Sequence, residues 1–365
     1  MKILSTSYTN TPGFNDPVQW LDRIDFYTGI LEALAKDHEV ESIEQISYTG
    51  ELEREGVKYH FLDLKKSKNY FPQRLHGFIK KRKPDVVLVN GFIFPLQVMQ
   101  LRMALGKAVK IIILHRGEKP CSGIKGSLQK MADQMINAYL FSSAEFGKVW
   151  IRAGNMSDQQ KIHEVIQASS VFKPGNRTIA RSELQVKGSP LFLWVGRLNE
   201  NKDPRTVVKA FLKFLKLQPA AKLYMIYQTE ELLPEIRSLL QQEDAPGAIA
   251  LVGKVPHDEL QNWYNAADFI ISGSHHEGSG IGVCEAMSCG CVPVVTDIIS
   301  FRAMTGNGKC GMRYEPGNEA GLLNALLQAD EMDMEAERQR TLQQFNEELS
   351  FEAIAKKIKN VIKSC

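Results

Sequence analysis

Short apolar segments alternate with amphipathic helical segments along almost the whole chain, and this alternation constrains the fold more than any other feature of the sequence. The predicted strands of the first half are residues 2–4, 38–43, 57–62, 85–90, 109–115, 137–143 and 161–167. Those of the second half are residues 190–196, 221–227, 248–253, 268–273, 291–295 and 311–315. The clearest predicted helix covers residues 22–37. This pattern is typical of α/β folds with parallel, doubly wound sheets.

The alternation stops once, at residues 171–190, where proline, glycine and charged residues follow one another without periodicity. Such a stretch is typical of a connection between domains. A length of 365 residues also suits two domains better than one core. We therefore predict a first domain over residues 1–172, a second over 173–346 and a terminal helix over 347–365.

Composition narrows the class of protein. Hydrophobic residues make up 44% and charged residues 24%, as in globular chains, and a net charge of +3 is too small to indicate a nucleic-acid partner. No apolar run of about 18 residues predicts a membrane span, and the amino terminus lacks the apolar core of a secretory signal. The six cysteines form no CxxC pair. We expect a reduced, cytoplasmic protein.

The most informative segment is DFIISGSHHEGSGIGVCEAMSCGCVPVV, in which a predicted strand runs into a glycine-rich loop and then a helix. Gly278, Gly280 and Gly282 leave backbone N–H groups open to a ligand. A helix that starts near Gly282 directs its positive end to the same place, which suits phosphate. Glu277 and Glu285 bracket the loop, and Glu285 is expected in the first helical turn, where it can accept hydrogen bonds from hydroxyls. A nucleotide sugar has this layout.

Two cations precede this segment. Arg197 and Lys202 lie five residues apart on a predicted loop between a strand and a helix. Two such cations can neutralise a dianionic leaving group. Alone, they would be an ordinary solvated pair; together with the glycine-rich segment they indicate a diphosphate site.

These two segments resemble the signature of glycosyltransferase family 4, the retaining enzymes of the GT-B fold. The Glu-x7-Glu pattern is present, followed by EAMSCG and the PVV strand. PLFLWVGRLNENKDPRTVVKAF resembles the family's strand–VGRL–x3–K–helix element. The resemblance is strong over residues 190–320 and loose over 1–180. It implies two Rossmann-like domains facing each other across a cleft, with the terminal helix crossing back to the first domain.

The resemblance also implies a reaction. A metal-independent, retaining glycosyltransferase of hexosyltransferase type would move a sugar from a nucleotide-diphosphate sugar to a glycan or glycolipid acceptor, in surface polysaccharide or glycoconjugate biosynthesis. No cofactor is expected besides the donor substrate. The implied catalytic residues are Arg197 and Lys202 on the diphosphate and Glu277 on the sugar. The implied donor-binding residues are Glu285 on the ribose and the loop residues Gly278, Ser279, Gly280 and Ile281.

Three further positions come from the resemblance. The backbone near Val255, within residues 254–256, would meet the base. His115 ends a strand where family members place a histidine against the donor sugar; the alternative is a histidine bonded to a backbone carbonyl. The loop 8–20 holds a single glycine, Gly13, where the family has a Gly-Gly pair, and we assign Gly13 to donor binding. This departure indicates a different acceptor.

Other interpretations of the same residues are weaker. A dinucleotide fingerprint, G-x-G-x-x-G, would need glycine at Val283. His275 and His276 suggest a metal, but adjacent residues at the end of a strand point in opposite directions. No Asp-x-Asp motif follows a strand, so we predict no metal site. A non-catalytic GT-B-like partner subunit and a nucleotide-sugar epimerase remain alternatives of other classes.

Residues 65–83 hold eight Lys or Arg together with Tyr70, Phe71 and Phe78. One interpretation is a peripheral contact with anionic lipid on the inner face of the membrane, with a lipid-linked acceptor. The other, which the sequence favours, is a solvated helix packed on the sheet through residues 71, 75, 78 and 79, because a single basic helix seldom anchors a protein.

Overall fold

The computed structural model describes residues 1–64, 71–242 and 247–365. The chain divides into two compact units. The first contains Met1–Ser169 together with Phe351–Cys365, and the second contains Ser170–Ser350.

Among the described residues, the first unit has an eight-stranded sheet in the order β3-β4-β2-β1-β5-β6-β7-β8. The strands are β1 (Lys2–Ser7), β2 (Glu39–Glu44), β3 (Gly50–Arg54), β4 (Val57–Phe61), β5 (Val86–Asn90), β6 (Lys110–Leu114), β7 (Ala138–Phe141) and β8 (Ile162–Glu164). The helices between them are α1 (Pro17–Arg23), α2 (Asp25–Ala35), α3 (Gln73–Arg82), α4 (Pro95–Leu105), α5 (Gly123–Asp133) and α6 (Ala144–Arg152). All pairs of strands are parallel except β3 with β4.

Residues at every second position of the central strands form one core beneath α3–α6. Val87 and Val89 of β5 and Ile111 and Ile113 of β6 are fully buried in it. Because successive strand residues point to opposite faces, a shared cluster places α3, α4, α5 and α6 on one face of the sheet. The carboxyl ends of the strands are where α/β sheets bind ligands.

The second unit, within residues 170–242 and 247–350, has a six-stranded, fully parallel sheet in the order β11-β10-β9-β12-β13-β14. Its strands are β9 (Leu191–Gly196), β10 (Lys222–Tyr227), β11 (Ile249–Gly253), β12 (Phe269–Ser272), β13 (Val292–Thr296) and β14 (Met312–Tyr314). Its helices are α7 (Arg177–Leu184), α8 (Pro204–Leu215), α9 (Leu233–Gln242), α10 (Leu260–Ala266), α11 (Ile281–Ser288), α12 (Ile299–Met304), α13 (Glu319–Asp330) and α14 (Met334–Gln344). The predicted α/β class, with two Rossmann-like parallel sheets, is confirmed.

The position of the candidate site follows from the pairing of β9 with β12 in the sheet. Phe192 of β9 stacks on Phe269 of β12 with ring centroids 5.0 Å apart, and both rings are fully buried. The loops that leave these two strands therefore emerge side by side at the carboxyl edge of the sheet.

The last helix, α15 (Phe351–Ser364), belongs to the first unit. It packs on α2, where Gly29 has no side chain and leaves room for the ring of Phe351, 2.6 Å from the place a Cβ would occupy. Lys36 pairs with Glu352 at 2.9 Å, and Lys110 Nζ donates to the carbonyl of Ile362 at 2.7 Å.

Three local predictions are wrong. The stretch 171–190 contains α7, whose amino terminus is capped by Asn176 and whose Arg181 donates to the carbonyl of Ala266 at 2.8 Å. The loop predicted over residues 8–20 ends at α1, because Asp16 accepts from the backbone N–H groups of the first turn. A single helix was predicted over residues 22–37. The structure has two helices there, because α1 ends at Arg23 and α2 begins at Asp25.

Within residues 1–64, 71–242 and 247–365, no helix combines the length and the apolar character that crossing a bilayer requires.

Candidate active site at the carboxyl edge of the second sheet

The two sequence motifs of the second unit form one structure. The backbone N–H of His275 donates to the carbonyl of Asn201 at 2.8 Å, and the Asn201 side-chain amide donates to the carbonyl of His276 at 3.0 Å. A Cβ at Gly273 would lie 2.9 Å from the carbonyl oxygen of Asp203. The loop after β12 therefore fits against the loop after β9 because residue 273 is glycine.

An ion pair joins the same two loops. Lys202 Nζ contacts Glu277 Oε1, and the hydroxyl of Ser274 donates to the same oxygen at 2.8 Å. Ser300 at the start of α12 donates to the backbone carbonyl of Glu277. Glu277 is thus held at both its side chain and its backbone, while its carboxylate stays within reach of solvent at 14% exposure.

Arg197 lies in different surroundings from Lys202. Its side chain is exposed, and in the part of the chain that the structure describes its guanidinium has no recorded ion pair or hydrogen bond. A cation that does no structural work at the carboxyl edge of a parallel sheet is available to an anionic ligand.

The amino terminus of α11 is open. Gly280 caps it in the left-handed conformation, with φ of +57°, and a Cβ there would lie 2.8 Å from the ring of Phe301 and 3.0 Å from the sulfur of Met304. Among the residues that the structure describes, no acceptor is recorded for the backbone N–H groups of Ile281 and Gly282. Two open amides at a helix amino terminus suit a phosphate.

One small cavity touches residues of both motifs. Its volume is about 20 Å³, room for roughly one water molecule. Its lining includes Val195, Lys202, Glu277, Gly280 and Gly282. The structure therefore brings together the predicted catalytic pair and the predicted glycine loop, in which Gly278 and Ser279 are half-buried.

The position of Glu285 corrects the sequence analysis. Because α11 begins at Ile281, Glu285 is its fifth residue and lies in the second turn, where the first turn holds no acidic residue. The carboxylate is almost fully buried. The hydroxyl of Tyr264 donates to Oε2 at 2.9 Å, and His257 Nε2 lies 2.7 Å from Oε1. Two side chains from one neighbouring segment thus orient the carboxylate.

Tyr264 and His257 were missed by the sequence analysis. Tyr264 is fully buried on α10, and burial, together with the nearby Glu285 carboxylate, raises its pKa well above the ordinary value, so the hydroxyl stays protonated and donates. The ring of His257 lies 5.1 Å from that of Phe172. The only signal in the sequence was the position of His257 immediately after the predicted base loop 254–256. In that loop, Val255 is half-buried and packs on the hydrophobic cluster around Tyr264.

Comparison with known proteins agrees with this arrangement. The family model of glycosyl transferases group 1 matches residues 176–347. The second unit is a glycosyl transferases group 1 domain. The prediction from the Glu-x7-Glu signature is therefore confirmed at the level of the family.

A D-inositol 3-phosphate glycosyltransferase from Acidothermus cellulolyticus is 28% identical over 174 residues, which is 44% of this chain and 38% of that protein. The chain thus spans about two fifths of the length of this curated relative. A glycosyltransferase from Rickettsia africae matches over 100% of this chain and 98% of its own, with a TM-score of 0.73 and 16% identity. Anabaena HepE in complex with UDP and glucose matches over 100% of both chains, with a TM-score of 0.68 and 14% identity. At these identities the two structures show the shared fold, that of GT-B glycosyltransferases.

His115 of the first unit lies in a different environment from the charges of the group 1 domain. Its Nε2 lies 2.8 Å from the carbonyl oxygen of Glu118, and its Nδ1 accepts from the backbone N–H of Gly117 at 3.3 Å. The ring packs on Phe141 with centroids 4.4 Å apart, and burial lowers the pKa of His115. This is a neutral histidine bonded to a backbone carbonyl, the arrangement of the structural alternative. A catalytic role for His115 stays a prediction.

Gly13 is exposed in the loop that precedes α1, with φ of +91°, and its N–H donates to the hydroxyl of Ser47 at 3.1 Å. Nothing lies within 4 Å of a Cβ placed there. Its positive φ explains the glycine, and its assignment to donor binding stays a prediction.

The first unit has a pocket of about 600 Å³. It lies between the first turns of α4 and α5 and the end of β1, and is lined mainly by apolar side chains such as Phe94, Leu96 and Leu128. At its floor the hydroxyl of Tyr8 donates to the carbonyl of Gln97 at 3.2 Å.

The metal alternative gains no support from the described ranges, where no group of three or more His, Cys, Asp or Glu could hold an ion. His275 lies 3.3 Å from Asp203 instead. Of the six cysteines, the four between residues 284 and 310 are buried, and burial raises the pKa of Cys289 and Cys310 to about 12.

Proposed function

We propose that the protein is a retaining glycosyltransferase that uses a nucleotide-diphosphate sugar. The observation that carries this proposal is the junction of the two loops in the group 1 domain. There, Lys202, Glu277 and the open amino terminus of α11 share one cavity, and Arg197 is an exposed cation on the same loop as Lys202. This is the set of charges that a diphosphate with a sugar attached requires.

Each group has a role in this proposal. Glu285, oriented by Tyr264, accepts hydrogen bonds from the ribose hydroxyls, and the backbone near Val255 contacts the base. Arg197, Lys202 and the α11 amides stabilise the negative charge that develops on the diphosphate as the glycosidic bond breaks. Glu277, now paired with Lys202, orients the sugar when the diphosphate takes over part of that pairing.

Retention of configuration follows from the resemblance to family 4, in which the acceptor attacks from the face that the diphosphate leaves. The departing phosphate then takes the proton of the acceptor hydroxyl, so that no side-chain base is required. Cationic side chains and a helix dipole supply the charge that a metal would otherwise supply, and we propose a metal-independent reaction.

For the acceptor we propose a glycan or glycolipid, bound by the first unit. The 600 Å³ pocket has many apolar lining residues, and its polar ones include Thr9, Asn10, Gln97 and Lys125. A sugar carried on an apolar group fits this chemistry better than a free polar sugar does. Surface polysaccharide or glycoconjugate biosynthesis is the corresponding role.

The proposal is tested by incubating the full chain with UDP-, GDP-, ADP- and TDP-sugars and measuring the release of nucleoside diphosphate. We expect slow hydrolysis of one donor, unchanged by EDTA and strongly reduced in Lys202→Ala. The anomeric configuration of a transferred sugar, read by NMR, tests retention. No release from any donor would favour the non-catalytic partner subunit. Interconversion of donor sugars without an acceptor would identify an epimerase.

A further inference from the structure

The charge of this chain is distributed unevenly. Residues 71–132, which contain α3, α4 and most of α5, hold 12 Lys or Arg against two Asp or Glu, a net charge of +10. The whole chain has a net charge of only +3. One segment thus carries a large positive charge that the rest of the chain offsets.

The two acidic residues of this segment have structural partners. Asp85 accepts from the backbone N–H of Lys2 at 2.7 Å. Glu118 accepts from the backbone N–H groups of Phe92 and Arg116 at 3.1 and 2.6 Å. The acidic residue at the end of α5, Asp133, is fully buried. None of these three carboxylates neutralises the positive charge on the solvent-exposed side of the helices.

Eight of the twelve cations are exposed, and among the described residues none of the eight has a recorded ion pair. They are Arg74, Lys80, Lys81, Lys83, Lys107, Lys119, Lys125 and Lys130. The other cations are engaged in the fold; Arg102, for example, donates to the carbonyl of Met135 at 2.9 Å.

The three most exposed large apolar side chains of the described residues lie in the same segment: Ile124 is 84% exposed, Met103 71% and Phe71 67%. Met131, also in this segment, is 54% exposed. Phe71 precedes α3, Met103 lies on α4, and Ile124 and Met131 lie on α5. Exposed apolar groups are therefore interleaved with the exposed cations.

The three helices of this segment lie on one side of the sheet. α4 packs against both α3 and α5, and Leu75, Val98 and Ala132 from the three helices are buried in the same core. Since their buried sides face one cluster, their opposite sides form a continuous outer surface, which we call the basic face and define by α3, α4 and α5.

We propose that the basic face binds an anionic lipid membrane. Cations attract acidic headgroups, and exposed isoleucine, methionine and phenylalanine side chains enter the interface between headgroups and acyl chains. A polyanion such as RNA would need the cations but not these apolar groups. A single basic helix is a weak anchor, but α4 and α5 add further cations and apolar groups to those of α3. Residues 65–70 lie outside the described residues and are not part of the basic face.

Vesicle flotation of the full chain tests this proposal. Vesicles of phosphatidylcholine alone are compared with vesicles that contain 30% phosphatidylglycerol, at low and at moderate salt. We expect binding to the anionic vesicles only, weakened by salt. The triple variant Lys80→Glu, Lys81→Glu, Lys130→Glu should bind at least about 100-fold more weakly, since each charge near the surface contributes about fivefold. The matched control is Lys187→Glu, Lys209→Glu, Lys309→Glu, three exposed lysines of the second unit, which should bind like the wild type.

A second variant separates insertion from charge. Met103→Ser with Ile124→Ser keeps every charge, changes only exposed side chains and should bind at least about fivefold more weakly at low salt. Wild-type binding by this variant would overturn the proposal, as would equal losses in the triple variant and its control. Binding of the wild type to RNA but not to anionic vesicles would identify the basic face as a nucleic-acid surface and also overturn it. Circular dichroism of all variants confirms that they are folded.

Discussion

The carboxyl edges of the two sheets use their polar residues differently. In the first unit, His115 and Glu118 hold the backbone of their own loop, and the Arg116 guanidinium donates to Asn90 Oδ1 at 3.0 Å. In the group 1 domain, Arg197 has no recorded partner among the described residues, and Lys202 pairs with Glu277, another group that we assign to the ligand.

From this difference we expect the two edges to bind different kinds of ligand. Where the charges hold the loop, what remains for a ligand is a pocket lined mainly by apolar side chains. In the group 1 domain, Gly273 lets the two loops pack closely and hydrogen bonds to backbone carbonyls join them. The charged side chains of these loops therefore remain available to a diphosphate. We therefore expect the group 1 domain to bind its ligand through charge and the first unit to bind through shape and apolar contact.

The largest effect that we expect from a substitution in either unit is on the rate of catalysis. Arg197→Ala and Lys202→Ala should each lower the rate of donor cleavage by about 10²–10³-fold, roughly 3–4 kcal/mol, because each removes a cation from the developing diphosphate charge. The matched control is Lys209→Ala, an exposed lysine on α8. Near-normal rates in both site variants would contradict the assigned roles, because Arg197 would then be an ordinary solvated side chain.

The next largest effects are expected from two glycine substitutions at the start of α11. Gly280→Ala should destabilise the fold by about 1–3 kcal/mol, because φ is +57° and the new Cβ would meet Phe301 at 2.8 Å. Gly282→Ala, with its nearest neighbour at 3.5 Å, should keep the thermal midpoint and weaken nucleoside diphosphate binding. Equal midpoints in both variants would show that Gly280 does not shape the loop.

A smaller effect is expected at the ribose carboxylate. Tyr264→Phe removes the hydrogen bond to Glu285 Oε2 and should weaken nucleoside diphosphate binding about tenfold, since a bond to a charged group contributes roughly 1.5 kcal/mol. His257→Ala should have a smaller effect, because His257 is half exposed. Titration calorimetry distinguishes the two; a larger loss in His257→Ala would reverse their assigned importance.

The smallest predicted effect lies in the first unit. Burial lowers the pKa of His76, whose Nε2 lies 2.9 Å from the Tyr8 hydroxyl, to about 4. The folded protein keeps His76 neutral while the unfolded chain takes up a proton below about pH 6.5, so this contribution to stability is lost as the pH falls from 6.5 towards 4. The loss should be about 1 kcal/mol at pH 5.5. In His76→Gln, the thermal midpoint should depend less on pH between 6.5 and 4. The same pH dependence as in the wild type would contradict the assignment of this effect to His76.

The strands and the donor loop could be predicted from the sequence because apolar periodicity and glycine spacing are local properties. The antiparallel β3 was missed because GELER has no apolar run, and it forms only by pairing with β4. α7 was missed because Ala180 is its one buried residue and Leu184 is only partly buried, while Arg181 anchors the helix through Asp268 at 2.7 Å. Both depend on contacts between distant residues.

The candidate site also has features that could be predicted from the sequence and features that could not. Arg197, Lys202 and Glu277 could be identified from their spacing, but the ion pair between Lys202 and Glu277 depends on β9 and β12 being neighbours in the sheet. The support that Tyr264 and His257 give to Glu285 depends on how α10 packs beside α11. Neither follows from a pattern in one segment.

We infer that Glu285 and the loops around it bind a nucleoside diphosphate. Calorimetric titration of the full chain with UDP, GDP, ADP, TDP and NAD tests it most directly, with Glu285→Gln as the variant because an amide oxygen can still accept from Tyr264. We expect one nucleoside diphosphate to bind the wild type and to bind Glu285→Gln at least about tenfold more weakly. Binding of none of them, of NAD alone, or of the same ligand equally well to Glu285→Gln would contradict it.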